Sequence, residues 1–187
     1  MQFIIIGLGN FGAWLGDNLT RSGHEVIGVD HKMEKVEALK DRITHVIKLD
    51  STDIHAIKTL PLKDADAVIV AIGEDIGASI LTTALLKQLN VKRIIGRVIS
   101  PVHETVISAI GIDEVVHPEQ ETAERWSKKL DMNGVVESFN ISGNYNIIEV
   151  KTPVKYVDKT IRNCDLRKHN DLNVITNLRS ESKESIF

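Results

Sequence analysis

Short runs of β-branched residues punctuate the chain, separated by stretches whose apolar positions recur every three or four residues. Segments 3–6, 26–29, 45–48, 67–70, 93–96 and 114–116 read as strands. Most are almost continuously apolar rather than alternating, which is the pattern of strands covered on both faces in a parallel sheet. Segments 10–22, 33–41, 53–59, 75–90 and 101–110 read as helices. Ser22-Gly23 supplies a stop for the first, and Ser100-Pro101 places proline at the first helical position of the last. Six strands alternating with helices predict βαβαβ twice over. The fold class is α/β, a Rossmann-like doubly wound parallel sheet.

The pattern changes after Pro118. Residues 119–130 form a charged helical stretch with Ala123, Trp126 and Leu130 on one face, ended by Asn133-Gly134. Strand-like segments 135–139 and 146–150 follow, joined by the turn sequence Ser142-Gly143-Asn144. Beyond Pro153 come a short helix and a last strand at 172–176, then a polar stretch at 180–185. The division is a Rossmann-like α/β domain at 1–118, a crossover helix at 119–133 and a small α+β piece at 134–187. A unit of that last size has too little core to be more than marginally stable alone. It either leans on a partner or is incomplete.

Composition narrows the setting. The chain has 187 residues, 42% of them hydrophobic, with a net charge of −3, which excludes a disordered chain. Its apolar runs are far shorter than the ~20 residues that cross a bilayer, so direct membrane insertion is not expected. Met1 leads directly into 3–6 with no basic segment, so no leader is predicted. The single cysteine, Cys164, excludes an intrachain disulfide framework and predicts a cytoplasmic protein. A pI near 6.2 argues against nucleic acid as a partner. Residues 1–150 hold 15 basic against 21 acidic side chains, whereas 151–187 hold 8 against 5, a shift that supports a boundary before Lys151.

The chemistry begins at Gly7-Leu8-Gly9-Asn10-Phe11-Gly12, which follows the first strand and opens the first helix. Such a loop turns tightly at its first glycine, lets a pyrophosphate approach the backbone at its second, and packs helix on strand at its third. Phosphates there face free N–H groups at the helix's positive end. Asp30 ends the second strand and can accept hydrogen bonds from a ribose diol. Its charge opposes a 2′-phosphate, tempered by Lys32. The competing reading is a tight turn without a ligand. Two more loops lie at the carboxyl ends of strands. In Leu49-Asp50-Ser51-Thr52-Asp53 the polar groups can meet adenine or cap the next helix. In Ala71-Ile72-Gly73-Glu74-Asp75 small residues leave room for ribose or pyrophosphate. Arg97 closes the fifth strand and either neutralises a phosphate or forms an ordinary ion pair. The histidines, His31 among them, are dispersed, and no His/Cys spacing forms a metal cage. No nucleophile elbow appears.

Taken as a series, these segments resemble the KTN/RCK family, the cytoplasmic regulatory subunits of bacterial Trk/Ktr potassium uptake systems. The resemblance is carried by the glycine loop, Gly23-His24-Glu25-Val26, Val29-Asp30, Asp50-Ser51-Thr52, 68–73, Arg97 and Val116-His117-Pro118-Glu119, and covers residues 1 to about 130. Residues 135–187 resemble the opening of the family's ligand-sensing C-terminal domain, with Ile161 and Leu166 flanking its short helix, and the family pattern implies an incomplete domain. The resemblance implies regulation and not catalysis. It implies a homodimer assembling into a ring, commonly an octamer, on a separate membrane pore subunit at the inner face of the membrane. ATP, ADP, NAD or NADH would be the cofactor. By position, Gly7, Gly9, Asn10, Phe11 and Gly12, with Leu8 between them, fall to the phosphates, as does Arg97. Asp30, followed by His31 and Lys32, falls to the ribose. Asp50 and Ser51 fall to the adenosine end, and Ala71, Ile72 and Gly73 to the crevice wall. Glu119 stands where some relatives hold a divalent cation at the dimer seam. Many members carry arginine at the place of Asn10, reaching the terminal phosphate of ATP, so a weakened ATP preference is expected. The rival expectation is a small NAD-dependent oxidoreductase whose catalytic part lies in a partner chain or missing domain.

Overall fold

Consecutive isoleucines at the start of the chain go to opposite faces of one sheet, and both faces are covered. Ile4 and Ile6 enter a core cluster with Val68, Val70, Ile57 and Leu86. Ile5 enters a second cluster with Val26, Ile69, Leu39 and Ile43, against which Phe11, Leu15 and Leu19 pack. Because successive strand side chains point to opposite sides, a strand covered on both sides has no polar position. That is why these runs do not alternate.

The computed structural model describes residues 1–131, 135–142, 145–164, 166–170 and 172–177. The chain divides into two units, Met1–Thr122 and Ala123–Phe187. The first unit holds β1 (Gln2–Ile6), α1 (Asn10–Arg21), β2 (Glu25–Asp30), α2 (Met33–Leu39), β3 (His45–Lys48) and α3 (Ile54–Ile57). It continues with β4 (Ala67–Val70), α4 (Ile76–Gln88), β5 (Ile94–Arg97), α5 (Pro101–Ile110), β6 (Glu114–Val116) and the start of α6 (Pro118–Asp131). All six strands are parallel, in the order β3-β2-β1-β4-β5-β6. The order reverses between β1 and β4, and open α/β sheets bind ligands outside the strand ends at such a point.

Helix ends follow local chemistry. Ser100 accepts a hydrogen bond from the His103 N–H at the start of α5, with Pro101 at the first position, and Gly111 stops the helix in the left-handed region. The Asp17 carboxylate of α1 is buried and accepts from Arg21 Nε at 3.0 Å and from Arg42 Nη2 at 2.6 Å, tying α1 to the segment after α2. The Arg42 hydrogen bond is the main cause holding this carboxyl below its ordinary 3.8. A carboxyl whose pKa falls on folding stabilises above its unfolded value and loses that contribution as pH drops through the folded one. Stability should therefore decline more steeply below pH 3.8 in the natural chain than in Asp17→Asn, as read by urea unfolding at neutral and acid pH.

Several expectations need correcting. Arg93 lies outside β5, and α2 ends at Leu39 rather than 41. In the second unit, β7 (Val135–Ser142) pairs antiparallel with β8 (Tyr145–Val150), and a 3-10 turn at Val154–Tyr156, α7 (Ile161–Cys164) and α8 (Leu166–Asn170) follow. Residues 172–176 form no strand. Their apolar pattern supplies a strand face, but a strand also needs a ladder partner, and the described sheet there has two strands only. Asn133-Gly134, Gly143-Asn144 and 180–185 lie outside the described residues. No helix among those described is long and apolar enough to cross a membrane.

Candidate functional site: a crevice at the strand-order reversal

A crevice of about 450 Å³ opens at the carboxyl ends of β1, β2, β3 and β4, within the ~300–1,000 Å³ usual for small-molecule sites. The glycine loop forms its floor, and each glycine is needed for a different reason. Gly7 has φ +99°, and a Cβ there would meet the Ile72 nitrogen at 2.9 Å. A Cβ on Gly12 would collide with the Gly7 carbonyl oxygen and come within 3.2 Å of the Ala71 Cβ. Gly9 has no atom within 4 Å of that position and lines the crevice, so its backbone is open to whatever enters. It immediately precedes α1, whose first N–H groups have no helical partner.

Asp30 ties this loop to β2. Its buried carboxylate accepts the Leu8 N–H at 2.8 Å through one oxygen and the Lys32 N–H at 2.9 Å through the other. Each oxygen keeps acceptor capacity toward the crevice, since a carboxylate offers about four lone-pair sites. His31 Nδ1 stands 3.6 Å away.

On the β3 side, Asp50 accepts from both the Thr52 hydroxyl and the Thr52 N–H, which lower its pKa in that order of importance. Ser51 is buried, its hydroxyl 2.8 Å from that of Thr82 on α4. Asp53 caps α3 by accepting from the His55 N–H, and Asp75 caps α4 by accepting from the Ala78 N–H. On the β4 side Glu74 reaches over the crevice mouth to Lys32 Nζ at 3.0 Å and Lys35 Nζ at 3.1 Å. These ammonium groups, Lys32 first, hold the Glu74 carboxyl at about 2, and Glu74 raises Lys32 in return.

Of the residues named from sequence, Gly7, Gly9, Asp30, His31, Lys32, Asp50, Ser51, Ala71, Ile72 and Gly73 line this one crevice. Leu8 is buried, with its Cδ2 beside Gly28. Asn10 and Phe11 begin α1 beside the opening, Phe11 packing on the core. Gly12 acts from beneath. Arg97 is elsewhere: its guanidinium lies across the back of Gly73 and pairs with Glu119. That pair lines a second cavity of about 410 Å³ with Ser100, Glu104, His117 and Gln120. Of the two readings left open for Arg97, the structure has the ion pair. Glu119 belongs to no group of three potential metal ligands among the described residues. Sequence reasoning missed Lys35. The signal was its place one helical turn after Lys32, which puts both ammonium groups on one face.

Residues 3–118 match the TrkA-N domain. The Ktr system potassium uptake protein C of Bacillus subtilis is 36% identical over 174 residues, covering 93% of this chain and 79% of that protein. Among solved structures, the NAD(P)-binding domain of an exopolyphosphatase-related protein from Archaeoglobus fulgidus superposes with TM-score 0.62 at 27% identity, over 69% of this chain and 96% of that one. The GsuK channel bound to NAD superposes with TM-score 0.66 at 19% identity, over 89% of this chain and 30% of that one, a likeness of fold alone.

Proposed function

The chain belongs to the TrkA-N domain family, and from that membership we propose that it is a nucleotide-binding regulatory subunit of a Ktr/Trk-type potassium uptake system. The observation that carries the reading is the crevice itself. An unobstructed glycine backbone, the free N–H groups of α1 and a buried carboxylate converge at the strand-order reversal. Backbone N–H groups and the helix dipole suit the phosphates of an adenine nucleotide or NAD(H), and Asp30 suits the ribose diol. Gly7, Gly9, Asn10, Phe11 and Gly12 serve the phosphate side. Asp50 and Ser51 serve the adenosine end, and Ala71, Ile72 and Gly73 form the wall.

The work asked of the site is binding and not bond-breaking, so we assign no catalytic residue. A regulatory ligand must bind two conformations unequally, because equal affinity shifts nothing. The partner is a membrane pore subunit at the inner face of the membrane, and paired copies of this chain form a ring on it. Glu119 is the residue through which a divalent cation would enter the dimer seam, in exchange for its bond to Arg97.

Calorimetric titration with ATP, ADP, NAD and NADH tests the reading. At least one should bind in the micromolar range, and binding by none would overturn it. Asn10 supplies hydrogen bonds but no charge, so ATP should not exceed both ADP and NAD by tenfold, about 1.4 kcal/mol. A larger preference would show that the missing arginine is immaterial here.

A further inference from the structure

Glu74 is an unexpected group at the mouth of a site meant for anions. It projects from the loop after β4 and is two-thirds exposed, yet both its oxygens are engaged, one by Lys32 and one by Lys35. Lys32 caps α2 and Lys35 lies in its first turn, two and five residues after Asp30, and Lys35 Nζ lies 4.0 Å from Asp30 Oδ2. Two cations thus stand beside the carboxylate that faces the ribose. In dinucleotide folds a cation at that place is what accommodates a phosphate on the ribose 2′-oxygen.

Here the two ammonium groups are neutralised from across the crevice. The corner holds Lys32 and Lys35 against Asp30 and Glu74, with Asp50 and Asp75 also lining the crevice and His31 at its edge. Glu74 stays ionised at any physiological pH. A dianionic 2′-phosphate entering this corner would have to take the lysines from Glu74 and then sit beside two carboxylates.

We propose that Glu74 is a specificity-determining residue, which excludes a 2′-phosphate from the adenosine ribose by occupying the two ammonium groups that would receive it. Discrimination of this kind comes from a repulsive group as much as from attractive ones. Lys32 and Lys35 form a latent 2′-phosphate subsite that Glu74 keeps closed. The inference rests on the nucleotide-binding reading of the crevice.

The test uses two ligands that differ by that one phosphate, 5′-AMP and adenosine 2′,5′-bisphosphate, titrated into the natural chain and into E74Q. The readout is the ratio of the two affinities, so a general effect of the substitution cancels. The ratio should move at least tenfold toward the bisphosphate in E74Q, and removing both lysines in that background (K32M with K35M) should abolish the gain. A ratio that moves less than threefold overturns the proposal, as does a gain that survives loss of the lysines. If AMP and ADP bind but the ratio does not move, only this inference fails. If the natural chain and E74Q bind no adenine nucleotide at all, the reading of the crevice fails and takes the inference with it.

Discussion

Gly12→Ala should be among the most damaging single substitutions in the first unit, and Gly9→Ala, three residues away, among the most benign for stability. A methyl on Gly12 would occupy the space of the Gly7 carbonyl oxygen and press the Ala71 Cβ at 3.2 Å. Neither neighbour is the end of a flexible side chain. The carbonyl is backbone of the loop, whose N–H at Gly7 is itself bonded to the Val29 carbonyl at 2.8 Å. Relief requires α1 to lift from β1 or the loop to unwind. Forcing one extra carbon into so tight a contact costs about 1–3 kcal/mol, and backbone obstruction puts this case at the upper end. For a chain of this length each kcal/mol lowers the melting temperature by about 2–4 °C, so a loss of about 6–12 °C is expected by circular dichroism. Gly9→Ala should melt within about 1 °C of the natural chain, because nothing lies within 4 Å of its added carbon and its φ of −72° suits any residue. It should nevertheless weaken nucleotide binding tenfold or more, since the methyl projects where phosphate meets backbone. Equal melting of Gly12→Ala and the natural chain would mean that α1 packs with slack.

This pair of glycines also shows what was legible beforehand. Spacing alone assigned the loop, because a strand, three glycines and a helix leave little geometric freedom. The strand runs were legible for the same reason: residues such as Ile4, Ile5 and Ile6 serve two packed faces at once. Asp30 was legible as a crevice residue at the end of β2 but not as the group that anchors Leu8, since a bond to a backbone N–H leaves no mark in composition. The Glu74 clasp was hidden because its members are 39 and 42 positions apart in sequence, and only the β1–β4 adjacency brings them together. Asp53 could not be divided between capping and ligand contact, because the same residue types serve both ends. Arg97 could not be placed from sequence for a related reason. A cation at a strand end faces either side of its own loop, and Glu119, contributed by α6, decides which. Segment 172–176 was misread because apolar patterning reports a face and not a pairing partner.

Asp30→Ala should lose both fold stability and nucleotide, and the two losses can be separated. The substitution removes the acceptor of the buried Leu8 N–H and of the Lys32 N–H. Leaving a buried donor unsatisfied costs about 1–3 kcal/mol, so the variant should melt some degrees lower, with faster hydrogen exchange at the Leu8 amide. Adenine nucleotide affinity should fall tenfold or more. That fall alone would not prove contact with the ribose, because the slackened loop also carries the phosphate side of the site. A cycle between protein and ligand resolves it. In the natural chain, 2′-deoxy-ADP should bind more weakly than ADP, having lost a hydroxyl that Asp30 accepts. In Asp30→Ala the two ligands should bind alike, because the partner of that hydroxyl is gone. The coupling between the two changes is then the contact itself, free of the loop's contribution, which both ligands share. If the natural chain binds ADP and its 2′-deoxy analogue equally, Asp30 serves the loop alone and the ribose 2′-hydroxyl lies elsewhere. If the deoxy penalty is present but persists undiminished in Asp30→Ala, another group holds the hydroxyl, and Asp50 on the facing loop is the next to replace.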